Sequence, residues 1–550
     1  MSICYRIWLP ILLVCLATVT AGAQNPNAQG GGSFMVQCPS TTLLHPIPLS
    51  AEPAYTGPTK LTVTPKLADG TQLPPLSYVS NGGAIKCQEI SGGDGYMTEG
   101  DGNQTFLFGF GPLSGLGLIQ NGQPGTQFPA DFNKPYTDGP NFVNGQPNPA
   151  YDPVHPNPNG AITDPAAIMN SGVMNANLPA PLIAIDEDDE FFLTLSNVDM
   201  VMRPDLFETH TVHFHGYPNA SSFYDGVPDA SLSINIGGSF TYYYLAPDAG
   251  TYFWHCHITP PEHLQMGMVG QLYVRPRQNR VPNGANLYDS FVNNQQADLR
   301  TACNVTADIL CSTPQPATRG TFTHVTGYKY AYNDGDGSTR YDIDVPIQIH
   351  GFDPNFHFVG MTFNPEGFAD MKDKYFLLNG RSYPDTVGVV GYAGGPAAGS
   401  PTTNADLSTG LNPDPTSNAI STMSSDGFYR HSQPLTTLIT LDSKGGPGGT
   451  GQRALLRISD LDVTEYQTLA SLGIPMQVVG FNAKLLRDQA GNNLYYTTNS
   501  ITLAGGESLD VILDSTGVSP GTYFLYTPNL DHLSNDAENF GGLMTEVVVN

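Results

Sequence analysis

Apolar and polar positions alternate over short runs in this chain, and the runs are separated by Gly, Pro, Asn and Asp. In PLIAIDEDDEFFLTLSN (181–197), Phe191, Leu193 and Leu195 alternate with Phe192, Thr194 and Ser196. A period of two places successive side chains on opposite faces of a strand. SINIGGSFTYYYL (233–245), AGTYFWHCHI (249–258) and MVGQLYVRP (268–276) carry the same signature. Residues 34–90 add several strand-like runs. From about 92 to 180 the composition turns to Gly, Pro, Asn and Asp, which predicts long loops wrapped on a β core. The acidic run Asp186–Glu190 reads as a solvated turn at a strand entrance.

A second β unit is expected over 321–550, because the first one echoes in it. GGSFTYYYLAPDAGTYFWHCH (237–257) and GGESLDVILDSTGVSPGTYFLYTP (505–528) share the order Gly-Gly, alternating strand, turn, GTYF, aromatic. Where the first copy has His255, Cys256 and His257, the second has Tyr526, Thr527 and Pro528. The expected organisation is a first β unit over 34–280 with a loop-rich insertion at 92–180, a linker at 281–320, and the second unit over 321–550.

Composition narrows the setting. The first 23 residues combine an early positive charge, an apolar stretch and a small-x-small end after Ala23, which predicts a secretory signal followed by a flexible leader at 24–33. No later apolar run approaches the ~20 residues of a membrane span. A secreted or periplasmic protein is expected. The net charge of −27 argues against nucleic acid or an anionic membrane surface as a partner. Five cysteines follow the signal, so one stays free in an oxidising compartment. Cys256, between two histidines, is that one. Proximity suggests Cys38–Cys87 and Cys303–Cys311 as disulfides.

The chemistry is concentrated in THTVHFHG (209–216) and YFWHCHITPPEHLQMGM (252–268), which hold six of the 13 histidines. On a strand, His255 and His257 face one way and Cys256 the other. His213 and His215 share a face, and His210 can lie opposite. Two sites follow if the segments neighbour each other. One gathers His210, Cys256, His263 and Met268, with Met266 as the competing thioether. The other gathers His213, His215, His255 and His257. Two imidazoles, a thiolate and a weak thioether are the donor set of a blue-copper centre, whereas zinc has no use for a methionine.

At these residues the chain resembles the multicopper oxidases and the related copper nitrite reductases. HTVHFHG is similar to the HxxHxHG motif of laccase-like enzymes. HCHITPPEHLQMGM is similar to their HCHxxxHxxxxM motif, with two additional residues between Cys256 and His263. DGVP (225–228), LLNGRSYPDT (377–386) and ALLRISD (454–460) extend the resemblance. It implies an all-β fold of two cupredoxin-like Greek-key β-sandwich domains. It also implies an oxidoreductase with a type 1 copper at His210, Cys256, His263 and Met268. Electrons would pass through Cys256 to a type 2/type 3-like copper site at His213, His215, His255 and His257, with O2 as acceptor and Asp225 as a candidate proton relay. The electron donor would be a small molecule, a metal ion or a redox protein.

Laccase-like enzymes build a trinuclear cluster from four HxH pairs, and this chain has two. His45, His155, His324, His350, His357, His431 and His532 form no further pair. The nitrite reductase resemblance implies a homo-oligomer, a trimer, with a third ligand from a neighbouring subunit; His350, His357 and His532 are the candidates. In that family an Asp stands where this chain has His213, and His257 is extra. A third expectation, of a different class, is a blue-copper electron carrier with a degraded second site.

Overall fold

Strand formation is clearest at the first long hairpin. The computed structural model describes residues 34–550 except 59, 64–66, 72–76, 80–81, 102, 121–122, 137–141, 144–145, 148–158, 207, 217–220, 247, 297–310, 361–366 and 388–436. The expected signal and leader, His155, His431 and Cys303 lie outside the described residues. Ile85–Thr98 (β1) and Gln104–Pro112 (β2) pair antiparallel, from Ile90 opposite Pro112 to Thr98 opposite Gln104. This corrects the start of the expected loop-rich stretch, where 92–98 and 104–112 are strand. The glycines that suggested loop stand where residues 175–177 lie against the sheet. A Cβ on Gly95, Gly109 or Gly111 would come within 2.6, 2.9 and 2.6 Å of the backbone oxygens of Ala176, Asn177 and Asn175. Glycine here permits close approach of a second backbone.

The other strands of the first unit's two four-stranded sheets are Ile183–Asp186 (β3), Glu190–Asp199 (β4), His213–Phe214 (β5), Ser239–Leu245 (β6), Gly250–His255 (β7) and Val269–Arg275 (β8). One sheet runs β6-β4-β1-β2 and the other β3-β8-β7-β5. Their inner faces share one core, in which Phe110, Leu193, Leu195, Phe214, Tyr242, Trp254 and Leu272 meet. Gly270 opposite Trp254 leaves room for the indole, since a Cβ there would lie 2.4 Å from Cε2.

The second unit is built from Ile343–Phe352 (β9), Tyr375–Leu378 (β10), Ile439–Leu441 (β11), Arg453–Asp460 (β12), Gln467–Leu472 (β13), Met476–Phe481 (β14), Lys484–Leu485 (β15), Tyr496–Thr498 (β16), Ser500–Leu503 (β17), Glu507–Asp514 (β18), Gly521–Tyr526 (β19) and Met544–Val549 (β20). One sheet runs β10-β9-β12-β18-β14-β15 with β16 also on β14, and the other runs β11-β20-β19-β13-β17. The sequence echo is also an echo of ladder order. β1 pairs parallel with β4, which pairs antiparallel with β6; β9, β12 and β18 repeat that pattern. β3, β8, β7 and β5 are matched in the same way by β11, β20, β19 and β13. The fold is all-β, two sandwiches with a few short helices.

Polar bonds lock the units together. The Gln271 amide donates to the carbonyls of Ile347 (3.2 Å) and Arg457 (2.8 Å), and Thr251 Oγ1 donates to Asp510 Oδ1 at 2.6 Å. The acidic run is a further correction: Asp186, Glu187, Asp188, Asp189 and Glu190 are all buried. Arg277 grips Asp188 with Nε and Nη2 at 2.7 and 2.6 Å, Arg275 holds Asp186 at 2.7 Å, and Glu187 accepts from Asn333 of the second unit. Buried charges persist when paired in this way; spacing along the chain gives no hint of arginines some ninety residues away. Cys38 and Cys87 form a disulfide, Cys311 is disulfide-bonded, and Cys256 is free and buried. Among the described residues no helix is long and apolar enough to cross a membrane.

Candidate metal centre

β5 lies beside the end of β7, with His213 opposite His255 and Phe214 opposite Trp254. That pairing brings the two histidine-rich segments together. His210 is held just before β5 by a bridge to Ile234. Its ring packs on Gly92 of β1, where a Cβ would sit 2.9 Å from Cδ2. The two residues by which this chain exceeds the laccase spacing form part of a short helix, Pro260–Gln265, with prolines in its first turn. That helix carries His263 back over Cys256.

His210, Cys256 and His263 bring their ligand atoms within 4.8 Å of one another, and all three are fully buried. Cys256 Sγ accepts from the Thr211 backbone N–H at 3.4 Å and lies 3.3 Å from His263 Nδ1. Neither ring nitrogen of His210 has a hydrogen-bond partner, nor does Nε2 of His263. Met268 is buried, its carbonyl accepting from Cys256 N at 3.1 Å and its N–H donating to His263 O at 2.8 Å. Met266 is buried in the same core. Burial pushes the Cys256 thiol up, but the His263 charge and the flanking imidazoles outweigh it and hold the thiol well below its ordinary value. Burial pushes His263 down, yet the Cys256 thiolate and Glu208 raise it to about 10. A buried thiol held toward its thiolate form between two buried imidazoles, with Met266 and Met268 in the same core, fits a soft cation such as copper.

The second cluster is equally specific. Ring centroids of His213 lie 4.8, 5.4 and 5.0 Å from those of His215, His255 and His257. His213, His215 and His255 bring ligand atoms within 4.8 Å of one another. His257 joins through its ring and stands outside that three-ligand group. Backbone carbonyls facing two of the rings assign their tautomers. Nδ1 of His213 donates to the Asp225 carbonyl at 2.6 Å, and Nδ1 of His255 to the Cys256 carbonyl at 2.7 Å. Each ring therefore turns a bare Nε2 elsewhere, and that of His255 faces Nε2 of His215 at 2.8 Å. Burial, with mutual repulsion added, lowers His215 to about 4 and His255 to about 3. Neutral imidazoles with free lone pairs are what a metal needs.

Asp225 sits against this cluster, its carboxylate 3.7 Å from His213 Nδ1. Gly226 makes the approach possible: its φ is +78°, and a Cβ would fall 2.1 Å from Val212 O. A residue the sequence reading missed is Glu208, whose Oε2 lies 3.7 Å from His263 Nε2 and which is partly exposed. Its only sequence signal is its place two residues before His210.

A cavity of about 380 Å³ adjoins His215 and His255. The second unit lines it with residues 461–466 and 504–506, which bring Asp462 and Glu465 but no histidine. Of the candidate third ligands, His357 has both nitrogens on carbonyls, of Phe106 and Gln265. Both nitrogens of His532 are engaged by Gln467 and Glu465 at 2.9 Å. His350 is fully buried beside the Asp462 charge. His45 bonds Glu190.

Residues 162–279 match the family model described as multicopper oxidase. Laccase abr2 of Aspergillus fumigatus is 32% identical over 109 residues, 20% of this chain and 17% of that protein. Multicopper oxidase MCE of Talaromyces pinophilus is 33% identical over 108 residues, 19% of this chain and 16% of that one. The chain thus spans about a sixth of the length of the curated relatives it matches. A blue copper oxidase from Nitrosomonas europaea aligns over 84% of this chain and 85% of its own, with 16% identity and a TM-score of 0.43. All the ligand-type residues of both clusters lie inside the matched segment, and residues 162–279 are a multicopper oxidase domain.

Proposed function

We infer that the protein is an exported, copper-dependent oxidoreductase that accepts electrons at His210, Cys256, His263 and Met268 and reduces dioxygen at His213, His215, His255 and His257. Copper bound at these residues supplies one-electron redox chemistry. The observation that carries the reading is the join between the clusters. Cys256 and His255 are adjacent in the chain, and His255 Nδ1 donates to the Cys256 carbonyl at 2.7 Å. The thiolate of one site and an imidazole of the other are thus linked by covalent bonds and by one hydrogen bond.

The chain's own side chains divide the remaining work. Glu208, itself partly exposed, stands between the buried His263 Nε2 and solvent and offers a polar surface where a donor can make contact. Phe108 and the surrounding core keep water from Cys256. The Asp225 carbonyl orients His213, and its carboxylate is placed to move protons at the second site. The histidine count supports a second site of one or two coppers in place of a full trinuclear cluster.

Copper analysis with visible and paramagnetic-resonance spectra of the copper-loaded protein tests this. The expected result is an intense blue band, more than one copper per chain, and oxygen uptake with a reductant. His255→Ala should abolish the uptake and the additional copper while leaving the blue band. One blue copper per chain without oxygen uptake would refute the oxidase reading in favour of an electron carrier, and nitrite turnover in place of oxygen uptake would favour the nitrite reductase alternative.

A further inference from the structure

Two cavities meet at one side chain. The first is the 380 Å³ space beside His215 and His255. The second, about 740 Å³, is lined by Lys372, Asp373, His532 and Phe540, among others. Glu465 lines both. Its Oε2 lies 2.9 Å from Nε2 of His532, which is buried and stacked on Phe376 with ring centroids 3.9 Å apart.

The hydrogen-bond directions assign the protons. Gln467 Nε2 donates to Asp462 Oδ2 at 2.5 Å, which turns Gln467 Oε1 toward His532 Nδ1 at 2.9 Å. An amide oxygen only accepts, so Nδ1 carries hydrogen. On the other side of the ring, Nε2 faces a carboxylate oxygen. The bond there needs one more proton, on Nε2 or on Glu465. Whichever end holds it, the pair stores one transferable proton between the two cavities. Gln467 is the positioning residue that keeps the tautomer.

We propose that Glu465 and His532 form a proton relay from the larger cavity to the one at His215 and His255. The relay rests on the dioxygen-reducing reading of that site. Reducing one dioxygen to two waters takes four electrons from the donor and four protons. For each proton, Glu465 passes the pair's single proton to reduced oxygen in the cavity beside His215 and His255, which leaves a carboxylate facing an Nε2 without hydrogen. A solvent hydronium ion in the larger cavity then returns one proton to the pair and leaves as water.

The test uses copper-loaded Glu465→Gln and His532→Gln in stopped flow. Anaerobic bleaching of the blue band by a reductant should keep its wild-type rate. Oxygen uptake should fall about a hundredfold, the lower end of what a positioned proton donor contributes, and its solvent isotope effect should grow. Glu465→Asp should recover part of the rate. On the copper-free full chain, nitrogen NMR of labelled histidine should show His532 protonated at Nδ1, with an Nε2 signal that shifts in Glu465→Gln. Wild-type oxygen uptake in both variants, or an Nε2 signal indifferent to Glu465, overturns the relay. A wild-type protein that consumes no oxygen overturns the reading beneath it, and the copper-free NMR result separates the two failures.

Discussion

Replacing Gly92 with Ala adds one methyl group beside His210. The new Cβ would lie 2.9 Å from His210 Cδ2, 3.3 Å from Leu195 Cδ1 and 3.4 Å from His210 Cγ. Carbon atoms settle at about 3.5–4.0 Å, so the imidazole must retreat by roughly 0.6 Å or β1 must move. β1 is constrained, since Gly92 is paired with Phe110 on one side and Asn197 on the other. Overpacking of this size costs about 1–3 kcal/mol. A displacement of ~0.6 Å also exceeds the roughly 0.5 Å within which a ligand set must be held. Gly92→Ala should therefore lower the melting temperature and weaken copper retention, with a fainter or shifted blue band. The control is Gly320→Ala, where the nearest heavy atom is 4.0 Å away; it should leave the spectrum untouched. The assay is copper content and visible absorbance after dialysis against a weak chelator, with thermal unfolding in parallel. A Gly92→Ala protein with wild-type copper, absorbance and melting temperature would refute the claim that this glycine exists to seat His210.

Glu208→Gln should slow anaerobic bleaching by reductant at unchanged copper content, since it alters only the partly exposed carboxylate that faces the buried His263 Nε2; stopped-flow absorbance checks it. Asp188→Ala leaves the Arg277 guanidinium buried without its fork partner and should cost about 3–5 kcal/mol in chemical denaturation. Burial raises Glu99 to about 8, so the folded state binds its proton more tightly than the unfolded chain, whose ordinary value is 4.5. Its contribution to stability is full below about pH 4.5 and is lost as pH rises through about 8. Glu99→Gln should flatten that decline in thermal unfolding scans between pH 5 and 9, and an unchanged slope would refute the assignment.

The sequence by itself singled out the candidate metal ligands. Strand periodicity sorts Cys256 from His255 and His257 within three residues, and spacing pairs His213 with His215. The GTYF echo at 250–253 and 521–524 likewise announced a repeated ladder, because each copy is one strand read locally. Periodicity also misled where local composition and long-range packing disagree. Glycines at 95, 109 and 111 resemble loop residues, and only the backbone of 175–177 lying over them shows why they sit in strands. The acidic run resembled a solvated turn until Arg275 and Arg277 closed on it. Tertiary structure alone decided which second-unit groups face the histidine cluster. Asp462 and Glu465 line the cavity beside it while His357 and His532 are engaged elsewhere, and nothing in a strand's period of two encodes a partner two hundred residues away. Tautomers belong to that same class of fact. They depend on which carbonyl each Nδ1 meets, and that is set by how the strands dock.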